Sequence, residues 1–158
     1  SVEESEAVIL ELGTSLGIST LALALGAKHR RVISIEGCPE LAAIARENLR
    51  RHGAHNAEVL CMEFGEALTL LRNRGTKVAL AYIDGNHRGA ALREYVHTIR
   101  EMGEEMIIIA DDIHMNRDMI HAWRSLLAGN LAPASLETFR MGMLFCLRNL
   151  TPGHYRVR

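Results

Sequence analysis

The residues best suited to chemistry stand at the ends of short apolar runs. The first run, Ala7 to Leu12, leads into Glu11-Leu12-Gly13-Thr14-Ser15-Leu16-Gly17-Ile18-Ser19-Thr20. Gly13 and Gly17 let the backbone turn tightly and approach a ligand without a Cβ in the way. A helix starting just beyond that turn offers N–H groups with no partner inside the helix. The spacing is G-x-x-x-G, which is not the G-x-G-x-x-G dinucleotide fingerprint, and no Lys follows to make a P-loop. A second run, Val32 to Ile35, ends at Glu36-Gly37. A carboxylate presents acceptors only, so Glu36 suits the two hydroxyls of a ribose. Glu63, after a third run at Val59 to Cys61, stands where an adenine edge could reach it. Each feature alone also reads as an ordinary turn glycine or a solvated acid; in register they point to a nucleoside-bearing ligand.

A second set is acidic. The fourth run, Val78 to Ile83, ends in Asp84-Gly85-Asn86-His87, and the fifth, Met106 to Ala110, ends in Asp111-Asp112. Three carboxylates in one cleft repel one another unless a cation sits among them. An all-oxygen set suits a hard ion such as Mg²⁺, and His87 on the turn could reach a hydroxyl bound to it. The plainer reading is that one Asp caps a turn. Adjacent Asp111 and Asp112 face opposite ways if the strand continues through both, so joint ligation requires the strand to end before them.

The elements that must position these groups are legible as a pattern. Five short, near-continuous apolar runs match strands of a parallel sheet buried on both faces. Helical stripes lie between them. Leu41, Ile44, Ala45 and Leu49 follow Pro39 and stop at Gly53; Leu92, Tyr95, Val96 and Ile99 stop at Gly103; Met119, Ile120, Trp123 and Leu127 follow Asn116, a candidate N-cap. Strand–helix alternation gives a doubly wound α/β fold with strands one, four and five adjacent, so the glycine turn and the acids share one cleft. Leu136 to Phe139 and Met143 to Leu147 are too close for a crossover helix and are expected to pair as an antiparallel hairpin at one edge of the sheet, completing seven strands. No repeat or linker divides residues 1–158, which read as one domain.

Composition narrows the function. With 18 Lys+Arg against 19 Asp+Glu, the formal charge of -1 does not favour nucleic acid or an anionic membrane as partner. Aromatic residues make up 4%, too few for base-stacking platforms. No apolar stretch approaches the length of a membrane span. Cys38, Cys61 and Cys146 are expected to be reduced core residues of a cytoplasmic protein. His114 and His121 lack the H-E-x-x-H spacing and read as surface or satisfied side chains. Arg140 sits at the hairpin and could line the cleft, a solvated turn residue being the plainer reading. The chain opens on Ser-Val-Glu-Glu-Ser without Met, which leads us to expect a trimmed N-terminus.

E-L-G-T-S-x-G-x-S followed by I-S-I-E-G resembles the first two motifs of class I S-adenosylmethionine-dependent methyltransferases. The resemblance covers nearly the whole chain, the terminal hairpin matching the seventh strand of their Rossmann-like fold. It implies that S-adenosyl-L-methionine is held by Glu11, Gly13, Thr14, Ser15, Gly17 and Ser19 around its methionine part. It implies Glu36 and Gly37 at the ribose, Glu63 near the adenine, and Asp84 at the cofactor edge. D-G-N-H with the later D-D is similar to the metal-dependent O-methyltransferases, above all the macrolide-sugar branch; the catechol and caffeoyl-CoA branches usually carry Asp-Asn and a Lys at the place of His87. Carried over, Asp84, Asp111 and Asp112 would ligate Mg²⁺ and His87 would be the general base for a small-molecule hydroxyl. The oligomeric state is open, a homodimer included. A non-catalytic nucleoside-binding domain and an NAD-linked oxidoreductase are the rival readings, the latter disfavoured by the glycine spacing and the hairpin.

Overall fold

A computed structural model describes residues 7–157. Eight strands and five helices are arranged as β1 (Val8–Leu12), α1 (Ile18–Gly26), β2 (Val32–Glu36), α2 (Pro39–Arg51), β3 (Ala57–Cys61), α3 (Phe64–Asn73), β4 (Val78–Ile83), α4 (Gly89–Arg100), β5 (Met106–Ala110), α5 (Arg117–Ala128), β6 (Ala134–Glu137), β7 (Gly142–Cys146) and β8 (Gly153–Arg156). The sheet order is β3-β2-β1-β4-β5-β7-β6-β8. β1 to β5 run parallel, β7 lies antiparallel between β5 and β6, and β8 runs parallel to β6 at the edge. The α/β class, the adjacency of β1, β4 and β5, and the antiparallel pairing of the terminal hairpin match the sequence expectation; the count is eight strands instead of seven, and the hairpin is not at the edge, because β8 pairs outside β6. β8 (Gly-His-Tyr-Arg) is mostly exposed, with no alternating apolar face to betray it.

The central strand explains the architecture. All five residues of β1 are buried, because helices cover both of its faces. On one side α3, α4 and α5 pack over Leu10, Leu12, Ile33, Ile35, Ile83 and Ile108. On the other, α1 and α2 pack over Ile9, Val32 and Val59 through small residues, Ala24, Ala42 and Ala45, which bring helix and sheet close together. Two of the expected stripes shift accordingly. In α2 the buried face is Ala42, Ala45 and Leu49 while Ile44 is exposed, and in α5 it is Met119, Ala122, Trp123 and Leu126. The Leu92-Tyr95-Val96-Ile99 stripe of α4 is buried throughout. α3, whose Ala67-Leu68-Leu71 face was not picked out from the sequence, supplies part of the same core. The Asn116 cap is as expected: its Oδ1 accepts from Met119 N at 2.9 Å. Of the three cysteines only Cys146 is buried, and Cys61 is exposed at the end of β3. No helix among the described residues is long and apolar enough to cross a membrane.

Candidate functional site

The parallel strands all end on one side, and the loops leaving β1, β2, β4 and β5 meet there. The glycine turn is fixed from beneath. Gly13 N and Thr14 N both donate to Ile35 O, at 3.0 and 3.2 Å, which staples the turn to the neighbouring strand. Gly13 has φ 104°, and a Cβ there would collide with the Asp84 carbonyl oxygen, so the turn after β1 lies directly against the loop after β4. Below it runs a buried polar chain. Thr14 Oγ1 and Ser34 Oγ lie 2.5 Å apart, Ser34 Oγ donates to Glu11 Oε2 at 2.5 Å, and Thr20 Oγ1 donates to the same oxygen. Glu11 is wholly buried, and its Oε1 has no hydrogen-bond partner. Burial pushes the Glu11 carboxyl pKa up, against hydrogen bonds from Ser19, Ser34 and Thr20 that pull it down, with the Asp84 charge adding to the rise. Glu11 and Thr14 thus serve the turn from inside, whereas the exposed Ser15 and half-exposed Gly13 and Ser19 form its rim. Gly17, at φ 82°, starts α1 and packs its Cα face on Ala45.

Glu36 faces this rim. Its Oε2 accepts from Ser15 N at 2.8 Å and its Oε1 from Cys38 N at 3.0 Å. A carboxylate has about four acceptor positions, so two remain for the hydroxyls of a ribose. Gly37 is exposed next to it, and a Cβ on Gly37 would stand 3.5 Å from Glu63 Oε1, which places Glu36, Gly37 and Glu63 along one edge. Glu63 is exposed at the start of α3 with no side-chain cap bond, free to accept. The donor and acceptor set, and a turn that leaves no room for a Cβ, fit a nucleoside-bearing ligand.

On the other side of Gly13 lies the acidic group. The Asp84 carboxyl has its pKa raised by burial and by the Asp111 charge, with His87 and Arg140 pulling it back. His87 is half-buried in a braced loop: Asn86 takes φ 50° and its Nδ2 donates to Tyr95 Oη at 2.8 Å, while Asn116 Nδ2 donates to the His87 carbonyl at 3.3 Å. β5 ends at Ala110, and Asp112 turns to φ 51°, so the backbone curls where joint ligation required it to. Asp111 and Asp112 do converge, but on Arg140, whose Nη2 lies 3.2 Å from Asp111 Oδ2 and 3.0 Å from Asp112 Oδ1. Tyr82 Oη donates to the same Asp111 Oδ2 at 3.2 Å, and Asp111 Oδ1 accepts from Asp112 N at 2.8 Å. Burial raises the Tyr82 hydroxyl pKa, with the Asp84 and Asp111 charges adding to it.

The expected Mg²⁺ set of Asp84, Asp111 and Asp112 is therefore not arranged as a metal centre. Among the described residues no three of His, Cys, Asp and Glu are placed to hold an ion. The Asp111 oxygens are taken by Tyr82, Arg140 and the Asp112 amide. Arg140 lines the cleft, the less favoured of its two sequence readings, and Tyr82 is a site residue that the sequence reading lacks. Tyr82 was findable, since it lies two residues before Asp84 on the same sheet face. Nothing local in the sequence ties Arg140 to Asp111, which is why the solvated turn is its plainer sequence reading. His114 is satisfied as expected, by Glu137 Oε1 at 3.0 Å and the Phe139 carbonyl at 2.9 Å.

Comparison with known proteins decides the family. Residues 10–113 match the model of a methyltransferase domain family, well over half of the chain. The chain belongs to that methyltransferase family. The class I resemblance of the glycine turn and of the Ile33-Ser34-Ile35-Glu36-Gly37 segment therefore holds. Cofactor-bound Rv0187 from MTB has the same fold, with TM-score 0.75 at 24% identity over 93% of this chain and 76% of that one. So has TomG, an O-methyltransferase from Streptomyces achromogenes involved in tomaymycin synthesis and solved with SAM, with TM-score 0.73 at 22% identity over 91% of this chain and 75% of that one. A protein from Lactobacillus johnsonii named as an uncharacterized RNA methyltransferase is 28% identical over 92 residues, 58% of this chain and 20% of that protein. The chain thus spans about a fifth of the length of that curated relative.

Proposed function

We propose that this methyltransferase domain binds S-adenosyl-L-methionine in the groove between the glycine turn and Glu36 and methylates a hydroxyl oxygen of a small molecule. The carrying observation is the closed contact between Gly13 and the Asp84 loop beside a Glu36 that keeps acceptor positions free. When bound, the cofactor supplies a methyl group on a positively charged sulfur. The acceptor oxygen would take that methyl group, and the uncharged thioether of S-adenosylhomocysteine would be the leaving group. The chain's own task is largely orientation. The stapled glycine turn fixes one wall, Glu36 anchors the ribose, and Glu63 faces the base. Asp84 puts negative charge at the edge where a sulfonium would lie. His87, held by its braced loop near Asp84, takes the hydroxyl proton. A cavity of about 370 Å³ bounded by Asp112, His114, Met115, Phe139 and Arg140 opens beside the acids and is the assigned acceptor space.

The name of the Lactobacillus johnsonii relative makes RNA the competing acceptor. The near-balanced charge, 18 basic against 19 acidic side chains, speaks for a small molecule. Incubation with radiolabelled S-adenosylmethionine and, separately, a panel of phenols, hydroxylated natural products and bulk RNA tests the reading. Label on a hydroxyl compound supports it, label on RNA alone replaces the acceptor, and cofactor binding with no transfer to any of them favours a non-catalytic binding domain.

A further inference from the structure

Asp111 and Asp112 are consecutive carboxylates at the end of β5, with Asp84 at the end of the adjacent β4. Partly buried like charges of this kind need a compensating positive charge close by. The chain supplies one. Arg140 Nη2 lies within 3.2 Å of Asp111 Oδ2 and 3.0 Å of Asp112 Oδ1. Its backbone is placed for this: the Arg140 carbonyl accepts from Ile113 N at 3.0 Å, directly after the acidic pair. The turn that carries it is closed twice, Thr138 N donating to Met141 O at 2.8 Å and Met141 N to Thr138 Oγ1 at 3.0 Å. The positive φ of Asp112 swings its carboxylate to the side where Asp111 already points. An ion held by both would have to expel the guanidinium and compete with the Tyr82 hydroxyl for Asp111 Oδ2.

We infer that Arg140 is the resident cation of this cleft: its guanidinium occupies the place and balances the charge that a divalent ion would otherwise take, so cofactor binding and transfer need no metal. The part about transfer rests on the proposed methyltransferase activity; the part about charge does not. A guanidinium is part of the chain, so the compensation is permanent, whereas a bound ion exchanges. Arg140 is a positioning residue here, acting through the two carboxylates. Its side chain is 60% exposed, so truncating it opens no core cavity.

The test is Mn²⁺ binding, followed by calorimetry and by the electron paramagnetic resonance of the free ion. Wild type, Arg140→Ala and the double variant Arg140→Ala/Asp111→Asn are compared, with S-adenosylhomocysteine titrated into each in EDTA. Arg140→Ala is expected to bind Mn²⁺ at least about tenfold tighter than wild type, a gain that disappears in the double variant. Equal Mn²⁺ affinity of wild type and Arg140→Ala overturns the inference, and so does failure of both to bind. The S-adenosylhomocysteine arm separates the two readings. If wild type does not bind it, the cofactor assignment fails while the Mn²⁺ comparison keeps its meaning.

Discussion

The two halves of the cleft are built in different ways. The half between β1 and β2 is made of backbone. Gly13 and Thr14 are stapled to Ile35, Glu36 accepts from two main-chain amides, and the hydroxyls of Thr14, Thr20 and Ser34 link the turn to a buried Glu11. The half between β4 and β5 is made of charge. There Asp84, Asp111 and Asp112 are set against Arg140, with Tyr82 and His87 alongside. Backbone-built sites depend on local geometry and leave few options to the side chains. Charge-built sites depend on which side chain arrives from elsewhere, and can exchange one cation for another.

If that contrast is right, the largest single effect belongs to the backbone half. Gly13→Ala puts a Cβ into the Asp84 carbonyl at a φ that side chains rarely adopt. It should cost about 3 kcal/mol of stability or more and abolish S-adenosylhomocysteine binding, measured by urea denaturation and calorimetry. Near-wild-type binding would show that the two loops are not in contact. Next comes His87→Ala, which should slow transfer to any accepted hydroxyl by roughly 10²–10⁴-fold while changing S-adenosylhomocysteine affinity less than about twofold. Equal loss of rate and affinity would move His87 from the acceptor side to the cofactor side. Glu36→Ala should weaken S-adenosylhomocysteine binding by roughly 10–100-fold, and the two amides it leaves behind should lower stability by only about 1 kcal/mol.

The smallest effect is a matter of pH. The folded-state pKa of Glu11 lies above its ordinary 4.5, mainly through burial. A raised carboxyl pKa means that the folded protein holds the proton more tightly than the unfolded chain. The stability it contributes is complete below the ordinary pKa and is lost as pH rises through the folded one. Glu11→Gln, whose amide oxygen can still accept from Thr20 and Ser34, should therefore melt higher than wild type at neutral pH, with the gap closing toward acid. A constant gap in thermal melts across that range would mean that Glu11 does not titrate.

The same contrast governs what could be read from the sequence. The backbone half was legible because its residues are local: Glu11 to Thr20 is one segment, and Glu36-Gly37 ends the next strand. Asn116 as cap and the β6–β7 hairpin were legible for the same reason. What escaped was long-range. Arg140 reaches Asp111 across 29 residues, through antiparallel pairing of β5 with β7 and the closed turn at Thr138–Met141. Neither is encoded near the acids. Ile44 misled the α2 stripe because small Ala42 and Ala45 let the helix sit close, leaving the larger side chain outside.

The most direct measurement is a calorimetric titration of S-adenosylhomocysteine into the wild-type protein in the presence of EDTA, repeated with Glu36→Ala. Saturable binding of one molecule per chain, undiminished by the chelator and sharply weakened by the substitution, is expected. Absence of binding, or binding indifferent to Glu36, would contradict the assignment of the β1–β2 groove as the cofactor site.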